Sequence, residues 1–199
     1  IGPDARAVAL GDVGVATTPD VNSIHWNPAK LAFNENDLGA SMSFVPWLRS
    51  LVNDINLSYV TGYIKIGDKQ AIGFELGYFS LGQITFTDIN GGLIGNYTPN
   101  EYVIGSAYSR KLSDDFSLSV GGKYILSDLT GGKSAGGIET ASGKSFAADV
   151  SGFYSKPIRI SGKDIDLAIG CNISNIGSKI KYTETATNDF IPINLRLGT

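Results

Sequence analysis

The sequence has one cysteine, one histidine, a slight shortage of positive charge and no long apolar run, and each shortage removes a class of protein. A single thiol, Cys171, excludes an internal disulfide and any multi-thiolate metal site. The only imidazole, His25, lies in Ser23-Ile24-His25-Trp26-Asn27 with no nucleophile motif or metal-ligand spacing around it. A hydrogen-bonding role inside a turn is therefore expected for it, and no catalytic residue, cofactor or metal site is expected anywhere in the chain. Sixteen Lys and Arg against 19 Asp and Glu leave a net charge of -3, so there is no basic footprint for nucleic acid. No stretch reaches the roughly 18 consecutive apolar residues of a spanning helix. Any membrane crossing must then be made by strands, because lipid accepts only helices and closed barrels. No charged n-region with an apolar h-region follows Ile1, so any signal peptide is expected to have been removed already.

What is present is a period of two. Ile72, Phe74, Leu76 and Tyr78 alternate with Ala71, Gly73, Glu75 and Gly77, which separates bulky apolar groups from small and charged ones. The same alternation marks segments 38–45, 102–110, 116–126, 146–155, 166–173 and 193–198. In 55–63 it places Ile55, Leu57, Tyr59, Thr61 and Tyr63 on the bulky face, expected to point outward, and the inward residues of the strands are small and polar with Val60, Ile64, Phe79, Ile125 and Phe153 as exceptions. Eight strands result, most near the roughly 9 to 11 residues of a tilted transmembrane strand.

The connections alternate in length. Segments 66–69 and 111–115 are tight, and 156–164, with Pro157 and Gly162, is expected to be intermediate. On the opposite side, 81–101, 128–144 and 174–192 are long, with Gly91-Gly92, Gly131-Gly132 and Gly136-Gly137 as expected loop tips. Short turns at one end and long loops at the other is the asymmetry of outer-membrane barrels, with turns periplasmic and loops extracellular. A soluble β-sandwich or lipocalin-like barrel would share the alternation with its faces reversed. The aromatics favour the membrane. Tyr59, Tyr63, Tyr78, Phe79, Tyr102, Tyr108, Phe116, Tyr124, Phe146 and Tyr154 lie largely near strand ends, where interface girdles sit. Glu75, Lys123 and Asp149 fall on the inward face in mid-strand, where they can pair across a wet or plugged lumen.

Residues 1–37 read differently. Ala5 to Gly11 suits a short helix, and Trp26, Asn27, Pro28 and Ala29 form a turn in which Pro28 can open a helical segment. In the order Arg6, Gly11, Gly14, Asp20, Trp26, Asn27, Pro28, Ala29, this segment resembles the amino-terminal signature of FadL-like outer-membrane barrels. The stretch Val45 to Leu57 and the closing Asp189-Phe190-Ile191-Pro192-Ile193-Asn194-Leu195-Arg196-Leu197-Gly198 are similar to the PorV family, the FadL-like barrels of the type IX secretion system.

The resemblance implies an all-β transmembrane antiparallel barrel in which residues 1–37 form a partly helical lumen segment and 38–199 form hairpins. It implies about fourteen strands, within the range of known barrels, so the chain is expected to hold only the amino-terminal part. It also implies a role in the cell outer membrane: binding secreted cargo by its carboxy-terminal signal domain and carrying it from the translocon to the attachment complex and its sortase. The alternative is a FadL-type transporter of hydrophobic small molecules. Outer-membrane lipid is a partner under either reading. Pro46, Trp47, Leu48, Leu51 and Val52, together with Phe190, Ile191 and Pro192, are the apolar clusters expected to meet protein partners. Trp26, Asn27, Pro28 and Ala29 are expected to be structural.

Overall fold

A computed structural model describes residues 2–88, 90–132, 139–183 and 189–199. Gly136 and Gly137 lie outside the described residues. Among the described residues ten strands form: β1 (Leu38–Pro46), β2 (Ile55–Ile66), β3 (Gln70–Leu81), β4 (Ile84–Thr87), β5 (Leu93–Tyr97), β6 (Asn100–Lys111), β7 (Phe116–Asp128), β8 (Gly143–Ile160), β9 (Lys163–Gly177) and β10 (Asn194–Gly198). Eight of them make one antiparallel sheet in the order β1-β2-β3-β6-β7-β8-β9-β10, curled strongly into a half-barrel. Among the described residues no helix is long and apolar enough to cross a membrane.

Alternation fixes the two faces of this sheet. In β3, Ile72, Phe74 and Leu76 are exposed on the convex side, whereas Ala71, Gly73, Glu75 and Gly77 are buried on the concave side. The same phase holds through β6, β7, β8 and β9, so an apolar band of Ile104, Leu118, Val120, Phe146, Val150 and Ile169 faces outward. On that face Tyr78 packs on Tyr102 with ring centroids 4.9 Å apart, and Tyr124 packs on Phe146 at 5.0 Å, both pairs on the loop side. Tyr108, Phe116 and Tyr154 stand near the turn end of the same strands. Two aromatic belts flanking an apolar band match the lipid-facing surface of a transmembrane barrel.

Three features differ from the sequence expectation. The first is the phase of β2: Tyr59 is 4% exposed and Tyr63 6%, both facing the lumen, while Ile64 points outward at 55%. Tyr59 stands opposite Gly77, and Tyr63 opposite both Gly73 and Gly39, so each large ring fills the space above a residue with no side chain. Phe79 faces inward, as the alternation of its own strand places it, and lines a cavity with Tyr59, so these three aromatics are not girdle residues.

The second concerns the connection expected at 156–164. β8 and β9 stay paired to Ile160↔Lys163, leaving only Ser161 and Gly162 as a turn. Both take the left-handed backbone (φ 52° and 80°) that a two-residue hairpin turn requires. Pro157 is accepted within the strand because β8 has no neighbour on its other side there, its pairing with β7 having ended at Tyr154↔Phe116.

The third is that the long connection 81–101 is not loop throughout. After Gly82, strands β4 and β5 form a separate hairpin above the β3–β6 pair, with Tyr97 packed against Gly131 of the next loop.

Candidate functional site

The concave side of the sheet holds the amino-terminal segment, and the sequence of that segment explains how it stays there. Helix α1 (Ala5–Ala9) is capped by Asp4, whose carboxylate accepts from the Arg6 and Ala7 backbone N–H groups. Helix α2 (Ser23–Trp26) runs into Asn27, which the following proline holds extended at φ -160° and ψ 92°. Pro28 then starts a 3₁₀ segment (Pro28–Phe33), where its fixed φ costs nothing and its missing N–H leaves no orphan donor. Ile24 and Leu31 pack with Tyr63, Ala71 and Ala107 from the sheet to form the apolar core of the plug. This core sits at the end of the half-barrel that carries the short turns, next to Lys111 and Ser117.

The backbone of residues 25–29, the Trp-Asn-Pro-Ala turn with His25 before it, is bonded to five strands. Ser109 of β6 donates to the Pro28 carbonyl at 2.7 Å, and Ser117 of β7 to the Ala29 carbonyl at 2.7 Å. Ser151 of β8 accepts from the Ala29 N–H at 3.1 Å. Asn172 of β9 donates to the Trp26 carbonyl at 3.0 Å, and Arg196 of β10 to the His25 carbonyl at 3.2 Å. Asn27, with no exposed surface, donates from Nδ2 to the Val15 carbonyl (2.8 Å) and the Gly152 carbonyl (3.0 Å), while its Oδ1 accepts from the Ala29 N–H (3.1 Å). Short side chains are needed on the facing strands. A Cβ at Gly170 would strike the Val15 carbonyl oxygen, and one at Gly73 would come within 2.6 Å of Leu31 Cδ1.

Two ionisable plug residues are displaced from their usual behaviour. Lys30 is 1% exposed and donates to the Gly14 carbonyl (2.7 Å) and the Thr17 hydroxyl (3.0 Å); burial lowers its pKa to about 8. The His25 pKa falls to about 3, first through burial and then through the charges of Arg196 and Lys123, so the imidazole is neutral at physiological pH. Its ring stands edge-on to Trp26 at 4.9 Å and to Tyr59 at 5.9 Å.

Above the plug, three inward charges from three strands meet. Lys123 of β7 lies 2.6 Å from Asp149 of β8 and 3.5 Å from Glu75 of β3. The Tyr59 hydroxyl donates to Glu75, and Asp149 also accepts the Asn175 N–H at 2.9 Å, where a bulge interrupts the β8–β9 ladder. Closer to the loop side, Leu57, Phe79, Val103 and Ile125 line a cavity of about 250 Å³ together with Tyr59, Glu75, Glu101 and Lys123. The inward face is therefore more apolar than its sequence suggests. The cause is the reversed phase of β2, which brings Leu57 into the lumen beside Phe79.

The loop side carries the two apolar clusters. Pro46 ends β1, and Trp47, Leu48, Leu51 and Val52 are all exposed in the β1–β2 connection. Phe190 is exposed and Ile191 half-buried just before β10, with the Lys179 ammonium 4.1 Å above the Phe190 ring. The clusters share one end of the sheet but stand over its opposite edges, β1 and β10, and are not brought together.

The family model described as type IX secretion system protein PorV matches residues 1–199, the whole chain. The chain belongs to the PorV family. No curated protein matches it. PorV proteins are outer-membrane components of the type IX secretion system, and the convex apolar band with its aromatic belts suits that place. In PorV terms, the plug and the inward charges are the interior of the barrel wall, and the two apolar clusters stand on its loop side. The inward serines Ser109, Ser117 and Ser151, which bond the plug, carried no signal in the sequence beyond their period of two.

Proposed function

We propose that this chain binds secreted cargo through the cargo's carboxy-terminal signal domain, at the loop side of the barrel, and carries it from the translocon to the attachment complex and its sortase. The loop side is then extracellular and the short turns are periplasmic. The observation that carries this reading is the clustering of exposed large apolar groups in the loop-side connections of a chain belonging to a secretion-system family: Leu51 is 81% exposed and Phe190 77%. Such groups are costly to leave in water and mark either lipid-interface anchors or a surface for another protein. The test is co-purification. A tagged copy, cross-linked in intact cells and isolated as folded barrel, is expected to bring down the translocon and signal-bearing cargo; isolation of folded barrel with neither rejects the proposal.

A second reading, a FadL-type transporter of hydrophobic small molecules, is favoured by one observation, the inward apolar wall of Leu57, Phe79, Val103 and Ile125. Saturable, competable binding of a labelled fatty acid by the purified barrel would support it. Under neither reading does the chain have a catalytic role.

A further inference from the structure

The cavity above the plug is apolar on its walls and acidic in its charge. Leu57 pairs with Phe79 across β2 and β3, and Val103 with Ile125 across β6 and β7, so four adjacent strands each contribute one apolar side chain at nearly the same height. Pro3 and His25 reach the cavity from the plug. Three carboxylates, Glu75, Glu101 and Asp149, stand on or beside its lining against two cations, the Lys123 ammonium and, from the plug side, the Arg196 guanidinium on the His25 carbonyl. His25 adds no charge, since burial keeps it neutral. Lys123 is shared by Glu75 and Asp149, whereas Glu101 accepts from the Ser127 hydroxyl at 2.8 Å and forms no ion pair among the described residues.

Size and charge together narrow the occupant. The half-barrel walls about 250 Å³ of the cavity, room for one long side chain. Apolar walls with surplus negative charge suit an aliphatic stem that ends in a cation, a combination that lysine and arginine side chains provide. We infer that the cavity receives a lysine or arginine side chain of the cargo signal domain, the stem lying against Leu57, Phe79, Val103 and Ile125 and the charged head between Glu101 and the Glu75–Asp149 pair. This rests on the cargo-binding reading above and adds to it a specific contact inside the lumen.

The test uses the full barrel in lipid nanodiscs and a purified cargo signal domain as probe. Heat-modifiable migration confirms that each variant is folded. Glu101→Gln is expected to weaken binding by about tenfold, as for loss of a partly desolvated charge pair, and Glu101→Lys by more. Ile125→Trp, which fills the cavity without changing charge, is expected to weaken binding as strongly, whereas Glu101→Asp stays within about threefold of the parent. Hexylammonium should compete with the signal domain, and hexanoate should not. Parental affinity in both Glu101→Lys and Ile125→Trp overturns the inference and leaves the cargo reading standing. Competition by hexanoate alone overturns it in favour of a small-molecule site. A parental barrel that binds no signal domain removes the cargo reading itself, and this inference with it.

Discussion

Replacing Asn27 tests why a turn inside the lumen needs this particular side chain. Its Nδ2 donates to the carbonyls of Val15 and Gly152, and its Oδ1 accepts the Ala29 N–H at the start of the 3₁₀ segment. In Asn27→Ala the Ala29 N–H keeps the Ser151 hydroxyl, but two carbonyls lose a donor in a site without exposed surface. A buried polar group left without its partner costs about 1 to 3 kcal/mol, and a lost helix cap about 1 kcal/mol, so the expected destabilisation is about 2 to 4 kcal/mol. Asn27→Asp separates the two parts of this argument. Aspartate is a good cap and nearly isosteric, yet it would aim a carboxylate oxygen at both carbonyls, so it is expected to be worse than alanine. The assay is urea unfolding of the refolded barrel in detergent, followed by heat-modifiable migration, with Ser109→Ala as a single-bond control expected at about 1 kcal/mol. If Asn27→Asp were as stable as the parent, the two donor bonds would contribute nothing and the reasoning would be wrong.

Four further outcomes follow from the same structure. Gly170→Ala is expected to cost about 1 to 3 kcal/mol in the same unfolding assay by pushing the Val15 backbone away, whereas Gly122→Ala, with nothing within 4 Å of the added methyl, should be neutral. Because the folded His25 pKa of about 3 lies below its unfolded value near 6.5, its contribution is full above pH 6.5 and is lost as pH falls towards 3. Unfolding curves of His25→Phe should accordingly lose a few kcal/mol less than the parent across that window, and parallel pH profiles would contradict this. In a Cys171→Ser background, single cysteines at Asn90 and Glu139 should react with a membrane-impermeant maleimide on intact cells, while those at Asp68 and Ser161 should stay protected; the reverse pattern inverts the proposed orientation. Trp47→Ala or Phe190→Ala should reduce cargo secretion at unchanged barrel abundance, and parental secretion by both would make these side chains anchors or packing elements.

Much of the architecture was legible because the rules that write it are local. The pleat forces a period of two, and Ile72, Phe74, Leu76 and Tyr78 could satisfy it only as one face of a strand. Tight turns such as Gly67 to Lys69 declare themselves by length, and the proline of Trp-Asn-Pro-Ala dictates the extended residue before it.

Other features depended on neighbours distant in sequence. β2 alternates as cleanly as β3, but both of its faces carry apolar groups, so period alone could not say which face meets lipid. Tyr59 turns inward because Glu75 accepts its hydroxyl and Gly77 leaves room for its ring, and Tyr63 because Gly39, Gly73 and the plug surround it. Pro157 reads as a break in the chain, yet the edge of the β8–β9 hairpin has no neighbour to miss its N–H. The bonds that hold residues 25–29 come from residues 109, 117, 151, 152, 172 and 196. Sequence by itself determined the strands and their alternation, because those obey short-range sterics and the demand of lipid for paired backbone. Only the tertiary structure decided the facing of β2, the apolar wall of the lumen and the stitching of the plug, since each requires side chains from several strands to meet at one point.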